Sequence, residues 1–156
     1  MVEELRIEYL ADAPEVLRQL QEWFLREWAP YYGPDGPGDA AHDLRSSCNR
    51  RALPITLIAF RGDELCATGA LKAESVETHK HLGPWVAALL VAPKYRRQGI
   101  RGQLVDALEE LARELGFEQM YYGADVTDRY LDRNGWQPLE RVSYLTGEGS
   151  IYRKTL

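Results

Sequence analysis

The chain has 156 residues, 45% of them hydrophobic and 28% charged, which is typical of one soluble globular domain. We therefore predict a single domain over residues 1–156. Charged residues interrupt every apolar run before the roughly 18 residues that a transmembrane helix needs. The net charge of −5 argues against general binding to nucleic acid or to an anionic membrane. Two cysteines are too few for a disulfide framework, which favours a cytoplasmic location.

The hydrophobic pattern predicts alternating strands and helices along the whole chain. The first half has a strand at 5–10, a helix from a capping box at Asp12 and Glu15 to Pro30, a Gly/Pro loop at 31–38, and a helix at 40–50 capped by Asp39. Strands follow at 53–60, 65–73 and 84–91. The second half has a helix at 99–115, a strand at 118–122, a helix at 126–134, and strands near 136–144 and 151–155 around a turn at 146–149.

This order predicts an α+β fold with a mixed, mostly antiparallel sheet flanked by helices. The only βαβ unit joins the strands 84–91 and 118–122, so these two strands should be parallel, with a right-handed crossover. The segment 84–91 carries no charge, and we expect this central strand to be buried on both faces of the sheet.

One short segment departs from the acidic character of the chain. Arg96, Arg97 and Arg101 surround the predicted start of the long helix, where Gly99 and Gly102 would let the backbone approach a ligand. The first turn of a helix leaves about four N–H groups without internal partners, and these groups suit a phosphate. The segment therefore indicates either a diphosphate-bearing ligand at the helix N-terminus or a tight strand-to-helix connection with surface arginines.

The segment 91–108, VAPKYRRQGIRGQLVDAL, resembles the acyl-CoA motif of the GNAT superfamily of N-acetyltransferases. That motif has a V-x-P strand end, then [QR]-x-x-G-x-[GA], then a helix. Arg96 and Gly99 match its first two positions, whereas Arg101 stands at the third. The segment 130–136, YLDRNGW, resembles the late F-Y-x-[RK]-x-G-[FW] segment of the same family, and the order of elements matches over nearly the whole chain.

The resemblance implies an acetyl-CoA-dependent N-acetyltransferase. Such an enzyme moves an acetyl group to the primary amine of a small or peptide acceptor by direct attack. The alternative is a non-catalytic acyl-CoA-binding or regulatory domain of the same fold. The resemblance also implies that the chain can form a homodimer, and that the strand ending at Val91 parts from its parallel neighbour to open a cleft. The residues implied to hold acetyl-CoA are Leu90, Val91, Arg96, Arg97, Gln98, Gly99, Ile100, Arg101 and Gly102.

The chain departs from the family pattern at the position of the general acid. The family often has a tyrosine four residues before the glycine of its late segment, and Leu131 holds that position here. Tyr130 is the candidate proton donor, and Tyr121 and Tyr122 are the alternatives. Glu74, which ends the preceding strand, is the candidate general base.

The resemblance assigns the acceptor side to the first helix and the loop after it. The candidate residues are Glu27, which is also an alternative general base, with Trp28, Tyr31 and Tyr32. Aromatic rings near carboxylates suit a cationic amine. His79 and His81 form an H-x-H pair without further ligands nearby in the sequence, so we expect a solvated loop there and no metal.

Overall fold

A single sheet organises the chain. The computed structural model describes residues 4–144 and 147–156. Its strands are β1 (Leu5–Tyr9), β2 (Ile55–Arg61), β3 (Glu64–Lys72), β4 (Trp85–Val91), β5 (Gln119–Ala124), β6 (Gln137–Tyr144) and β7 (Gly147–Thr155). They lie in the order β1-β2-β3-β4-β5-β7-β6. Every neighbouring pair is antiparallel except β4 and β5, which are parallel. The predicted α+β sheet with one parallel pair is confirmed.

Helices cover the two faces of this sheet unequally. They are α1 (Leu17–Glu27), α2 (Ala29–Tyr32), α3 (Ala40–Ser46), α4 (Ile100–Glu114) and α5 (Arg129–Arg133). The crossover helix α4 buries Leu104 and Leu108 in the main core. On the other face α1 and α3 bury Phe24 and Leu44 in a second cluster against β2. In the described ranges, no helix is both long enough and apolar enough to cross a membrane.

The opposite face carries two hydrophobic clusters rather than one. The second cluster lies under α1 and α3 over the first strands of the sheet. A third cluster includes Trp85, Tyr121 and Ile151 and lies over the later strands. Because side chains alternate along a strand, Trp85 points away from the core that holds its neighbour Val86. The space between these two clusters is where a polar cavity can open.

The start of the first helix differs from the sequence prediction. Two 3₁₀ turns, Leu10–Asp12 and Pro14–Val16, precede α1, and Asp12 makes no capping bond. Its carboxylate pairs instead with Arg50. The burial of Leu10 and Val16 in the second cluster holds this connection in short turns, so tertiary packing outweighs the capping-box pattern.

The remaining boundaries differ by small shifts. Helix α1 ends at Glu27, and the predicted loop 31–38 begins inside α2, which carries Pro30 in its first turn. Helix α3 ends at Ser46 rather than at residue 50, although Asp39 caps it as predicted by accepting from the His42 N–H at 3.0 Å. The last strand starts at Gly147. Of the predicted turn 146–149, Thr146 lies outside the described residues.

Candidate active site

The parallel strands β4 and β5 pair over two residues and then diverge. Trp85 lies opposite Tyr121 and Val86 opposite Tyr122, and these are the only pairs between the two strands. Beyond Val86, β4 keeps its antiparallel partner β3, with an irregularity around Ala88, whose φ is 50°. The expected parting of the strand that ends at Val91 is therefore confirmed.

A cleft lies where the two strands part. Residues 87–89 are only half-buried because they line this cleft, so the prediction that segment 84–91 is buried on both faces is wrong for its second half. The cavity measures about 1370 Å³. Pockets for one drug-sized ligand are roughly 300–1,000 Å³. The cleft is therefore large enough for two substrates side by side.

One end of the cavity lies at the N-terminus of α4. Gly99 is the residue before the helix and has φ of +79°, a left-handed conformation that favours glycine. A Cβ added at Gly99 would meet no atom within 4 Å, so conformation, and not lack of space, requires glycine there. Arg97 is also left-handed, with φ of 64°. Every residue predicted to hold acetyl-CoA lines the cavity except Gln98 and Gly102.

Lys94, Arg96, Arg97 and Arg101 form a cationic cluster before and in the first turn of α4, and most of its members are already paired within the protein. Lys94 Nζ contacts Glu64 Oε1 at 3.0 Å, outside the cavity. Arg96 donates from Nε to the Val91 carbonyl at 2.9 Å and lies 3.5 Å from Glu27 Oε2.

Arg97 differs from its neighbours. It is exposed, lines the cavity and has no ion pair or hydrogen bond within the described part of the chain. Arg97 is therefore the cluster's available donor for an anion.

Arg101, the residue that departs from the family pattern, is held between aromatic rings. Its guanidinium lies 5.2 Å from the ring centroid of Tyr122 and 4.7 Å from that of Tyr130. It donates to both carboxylate oxygens of Asp128, at 3.3 and 2.7 Å. Asp128 also caps α5 by accepting from the Leu131 N–H at 3.1 Å. Arg101 therefore ties the start of α4 to the start of α5.

The candidate proton donors occupy different places. Tyr122 lines the cavity at the last β4–β5 pair, and burial raises the pKa of its hydroxyl above the usual value. Tyr130 does not line the cavity, and burial raises its pKa to about 12. Tyr121 packs on Trp85 in the third cluster and donates to Gln119 Oε1 at 3.2 Å. Leu131 is fully buried in the main core. The structure therefore favours Tyr122 over Tyr130 on position.

The other end of the cavity is aromatic and acidic. Glu27, Trp28, Tyr31 and Tyr32 all line it, as does Glu74. Glu74 is exposed and, within residues 4–144 and 147–156, has neither an ion pair nor a hydrogen bond, whereas Glu27 faces Arg96.

Sequence reasoning missed several side chains that line the cavity, among them Asp43, Lys72 and Tyr144. Asp43 accepts from the Tyr32 hydroxyl at 2.8 Å, and Lys72 and Tyr144 also line the cavity. Alternation along the strand 65–73 puts Lys72 on the face opposite Leu71, but nothing in the sequence shows that this face opens into a cleft.

The histidine pair lies away from the cleft. His79 is buried, contacts Glu140 Oε1 through Nε2 at 2.9 Å, and stacks on His81 at 5.8 Å between ring centroids. Its other ring nitrogen lies 2.7 Å from the Thr78 hydroxyl. The expected solvated loop is therefore wrong at His79, which packs its loop against β6.

Comparison with solved structures identifies the fold. Aminoglycoside 6'-acetyltransferase type Ii has a TM-score of 0.74 at 20% identity, over 96% of each chain. An aminoglycoside 6'-N-acetyltransferase complexed with coenzyme A has a TM-score of 0.74 at 16% identity, over 96% of each chain. The aminoglycoside 6'-N-acetyltransferase from Enterococcus faecium has a TM-score of 0.72 at 16% identity, over 96% of each chain. The fold of the chain is thus that of N-acetyltransferases.

Sequence comparison gives the same result. The model of the acetyltransferase (GNAT) family matches residues 17–131, from the start of α1 into α5. The chain therefore belongs to the GNAT acetyltransferase family. A comparison with curated proteins finds no match.

Proposed function

We propose that this protein is an acetyl-CoA-dependent N-acetyltransferase for the primary amine of a small acceptor. The observation that carries the proposal is the cleft where β4 and β5 part. It connects the N-terminus of α4 to an aromatic and acidic pocket on the other face of the sheet. The end of the cleft at α4 suits a phosphate group, and the other end suits a cationic amine.

The residues present fit acetyl-CoA. The first-turn N–H groups of α4 and the unpartnered Arg97 would hold the diphosphate. The edge of β4 beyond Val86 has no partner in β5 and would run beside the pantetheine arm. The Val91 carbonyl, one of the backbone groups that the family resemblance assigns to this arm, already accepts from Arg96. Acetyl-CoA would supply the thioester whose C–S bond breaks as the new C–N bond forms.

The chain must then move two protons. The acceptor ammonium loses a proton to Glu74, directly or through a water molecule, and its nitrogen bonds to the thioester carbonyl carbon. The same nitrogen loses a second proton to water as the C–S bond breaks and the amide forms. Tyr122 gives its hydroxyl proton to the leaving sulfur and regains one from water. Because the raised pKa keeps Tyr122 protonated across the neutral range, its hydroxyl can donate a proton there.

A small acceptor is supported by the similar structures. These are aminoglycoside acetyltransferases, which act on amine groups of a small molecule rather than of a protein. The pocket at Trp28, Tyr31 and Tyr32 supports the same class because aromatic faces attract an ammonium.

We also propose a cytoplasmic location, which the free thiols of Cys48 and Cys66 support.

Two adjacent tyrosines test the proposed chemistry. We expect purified protein to bind acetyl-CoA and to release CoA with at least one member of an amine panel. Tyr122→Phe should lower kcat by about 100-fold, since a positioned general acid contributes roughly 10²–10⁴-fold. Tyr121→Phe is the matched control, because it lies on the opposite face of the sheet, and it should leave kcat unchanged. Tyr130→Phe should also keep its rate.

Contrary results have distinct meanings. A large loss with Tyr130→Phe and none with Tyr122→Phe would return the acid role to Tyr130. Tight acetyl-CoA binding without turnover over a broad panel would favour the non-catalytic acyl-CoA-binding domain, a reading that the buried Leu131 supports. Absence of binding at millimolar acetyl-CoA would overturn both readings.

A further inference from the structure

Lys72 is a cation in the cleft to which the proposed chemistry gives no role. It is the last residue of β3 and lies opposite Trp85 of β4, so the two side chains share a face of the sheet. That face is the one with two separate clusters, and Lys72 lines the cavity between them. It is half-buried, and burial lowers the pKa of its ammonium from the usual value.

The ammonium of Lys72 has no partner in the protein. Within residues 4–144 and 147–156, it makes neither a hydrogen bond nor an ion pair within 4.0 Å. The carboxylate that acts on it most is that of Asp43, which instead accepts from the Tyr32 hydroxyl at 2.8 Å. A partly desolvated charge without a partner is unfavourable, and a complementary charge from a ligand would offset that cost.

The other cavity-lining cations cannot take this place. Arg96 and Arg101 are paired with Glu27 and Asp128, and Arg97 lies in the connection that leads into α4. Lys72 and Glu74 both line the cavity, two residues apart in the chain, and neither has a hydrogen bond or ion pair within the described residues. A ligand that matches both groups has an amine and an anionic group.

We propose that the acceptor carries a carboxylate as well as its amine, and that Lys72 binds this carboxylate while the amine lies beside Glu74. This inference rests on the proposed acetyltransferase function and narrows its acceptor to amino acids and short peptides.

Matched acceptor pairs test this role. Dipeptides and longer ω-amino acids are each compared with their C-terminal amides, since the amide removes the charge and leaves a distant amine nearly unchanged. The free acid should show a KM about 10-fold lower than its amide, at similar kcat. Lys72→Met keeps the length of the side chain and should abolish this preference, and Lys72→Arg should restore part of it. Lys80→Met, at an exposed lysine outside the cavity, is the control and should keep the preference.

Binding separates this inference from the function on which it rests. The affinity for acetyl-CoA, measured by calorimetry, should be the same in the wild type and in Lys72→Met. The midpoint temperature of thermal unfolding should be equal or higher in the variant. Equal KM values for acid and amide, a preference that survives Lys72→Met, or no binding of either acceptor to the acetyl-CoA complex would each overturn the inference. Loss of acetyl-CoA binding by the wild type would overturn the proposed function itself.

Discussion

At the residue scale, the cationic cluster divides into paired and unpaired members. Arg101 replaces a small residue of the family motif, at a position where a long side chain could obstruct a ligand. Its guanidinium is instead held by Asp128 and by the rings of Tyr122 and Tyr130. Arg101 therefore supports the wall of the cleft, and Arg97 is left to contact phosphate.

This division gives a prediction at Arg97. Arg97→Ala should weaken acetyl-CoA binding about 10-fold, or about 1.4 kcal/mol, since hydrogen bonds between charged groups contribute roughly 1.5–3 kcal/mol. Titration calorimetry at low and moderate salt measures the loss, which should shrink as salt rises. Lys94→Ala is the control, because Lys94 is paired with Glu64 outside the cavity. Equal effects from the two variants would contradict a specific role for Arg97.

At the element scale, the two glycines at the start of α4 differ, because only Gly99 has a backbone conformation that requires glycine. Gly99→Ala forces alanine to adopt φ of +79° and should lower the free energy of unfolding by roughly 1–2 kcal/mol. It should also weaken acetyl-CoA binding, because the first-turn N–H groups would shift. At Gly102 an added Cβ would lie 3.6 Å from the Tyr130 hydroxyl oxygen, an ordinary contact.

Gly102→Ala is therefore the matched variant. It keeps the backbone N–H and should raise the free energy of unfolding by about 0.5 kcal/mol, since alanine favours helix more than glycine does. Urea denaturation and calorimetry measure both effects. If Gly102→Ala were destabilised, or if Gly99→Ala kept the wild-type stability, the proposed difference between the two glycines would be wrong.

Local signals predicted the elements well and the site only in part. Periodicity located the buried strand and the long helix, and Asp39 was recognisable as a cap because its bond to His42 is local. The capping box at Asp12 failed because Leu10 and Val16 are buried by distant residues. The roles of Lys72 and Asp43 could not be predicted, since the pocket that joins them exists only after β3, α3 and β4 have packed together.

At the scale of the whole molecule, three clusters share one sheet, and we propose that the described residues form a single cooperative unit. Tryptophans report on each cluster: Trp136 lies in the main core, Trp23 and Trp28 pack on the second cluster, and Trp85 lies in the third. Urea unfolding followed by fluorescence and by far-UV circular dichroism should give one coincident transition.

Ligand binding extends this prediction. Acetyl-CoA at 100 times its Kd should raise the free energy of unfolding by about 2.7 kcal/mol. Two separate transitions, or a shift in only one of them, would contradict a single unit.

The position of the cleft separates two kinds of change in the protein. The cofactor end is built from α4 and the main core, whereas the acceptor end lies between the second and third clusters on the opposite face. Substitutions that change the size or the charge of the space between those two clusters can therefore change which amine is accepted without changing the proposed acetyl-CoA site. The residues proposed to bind the acceptor and those proposed to bind acetyl-CoA thus come mostly from different parts of the fold. The choice of acceptor can therefore change while the proposed acetyl-CoA residues stay the same.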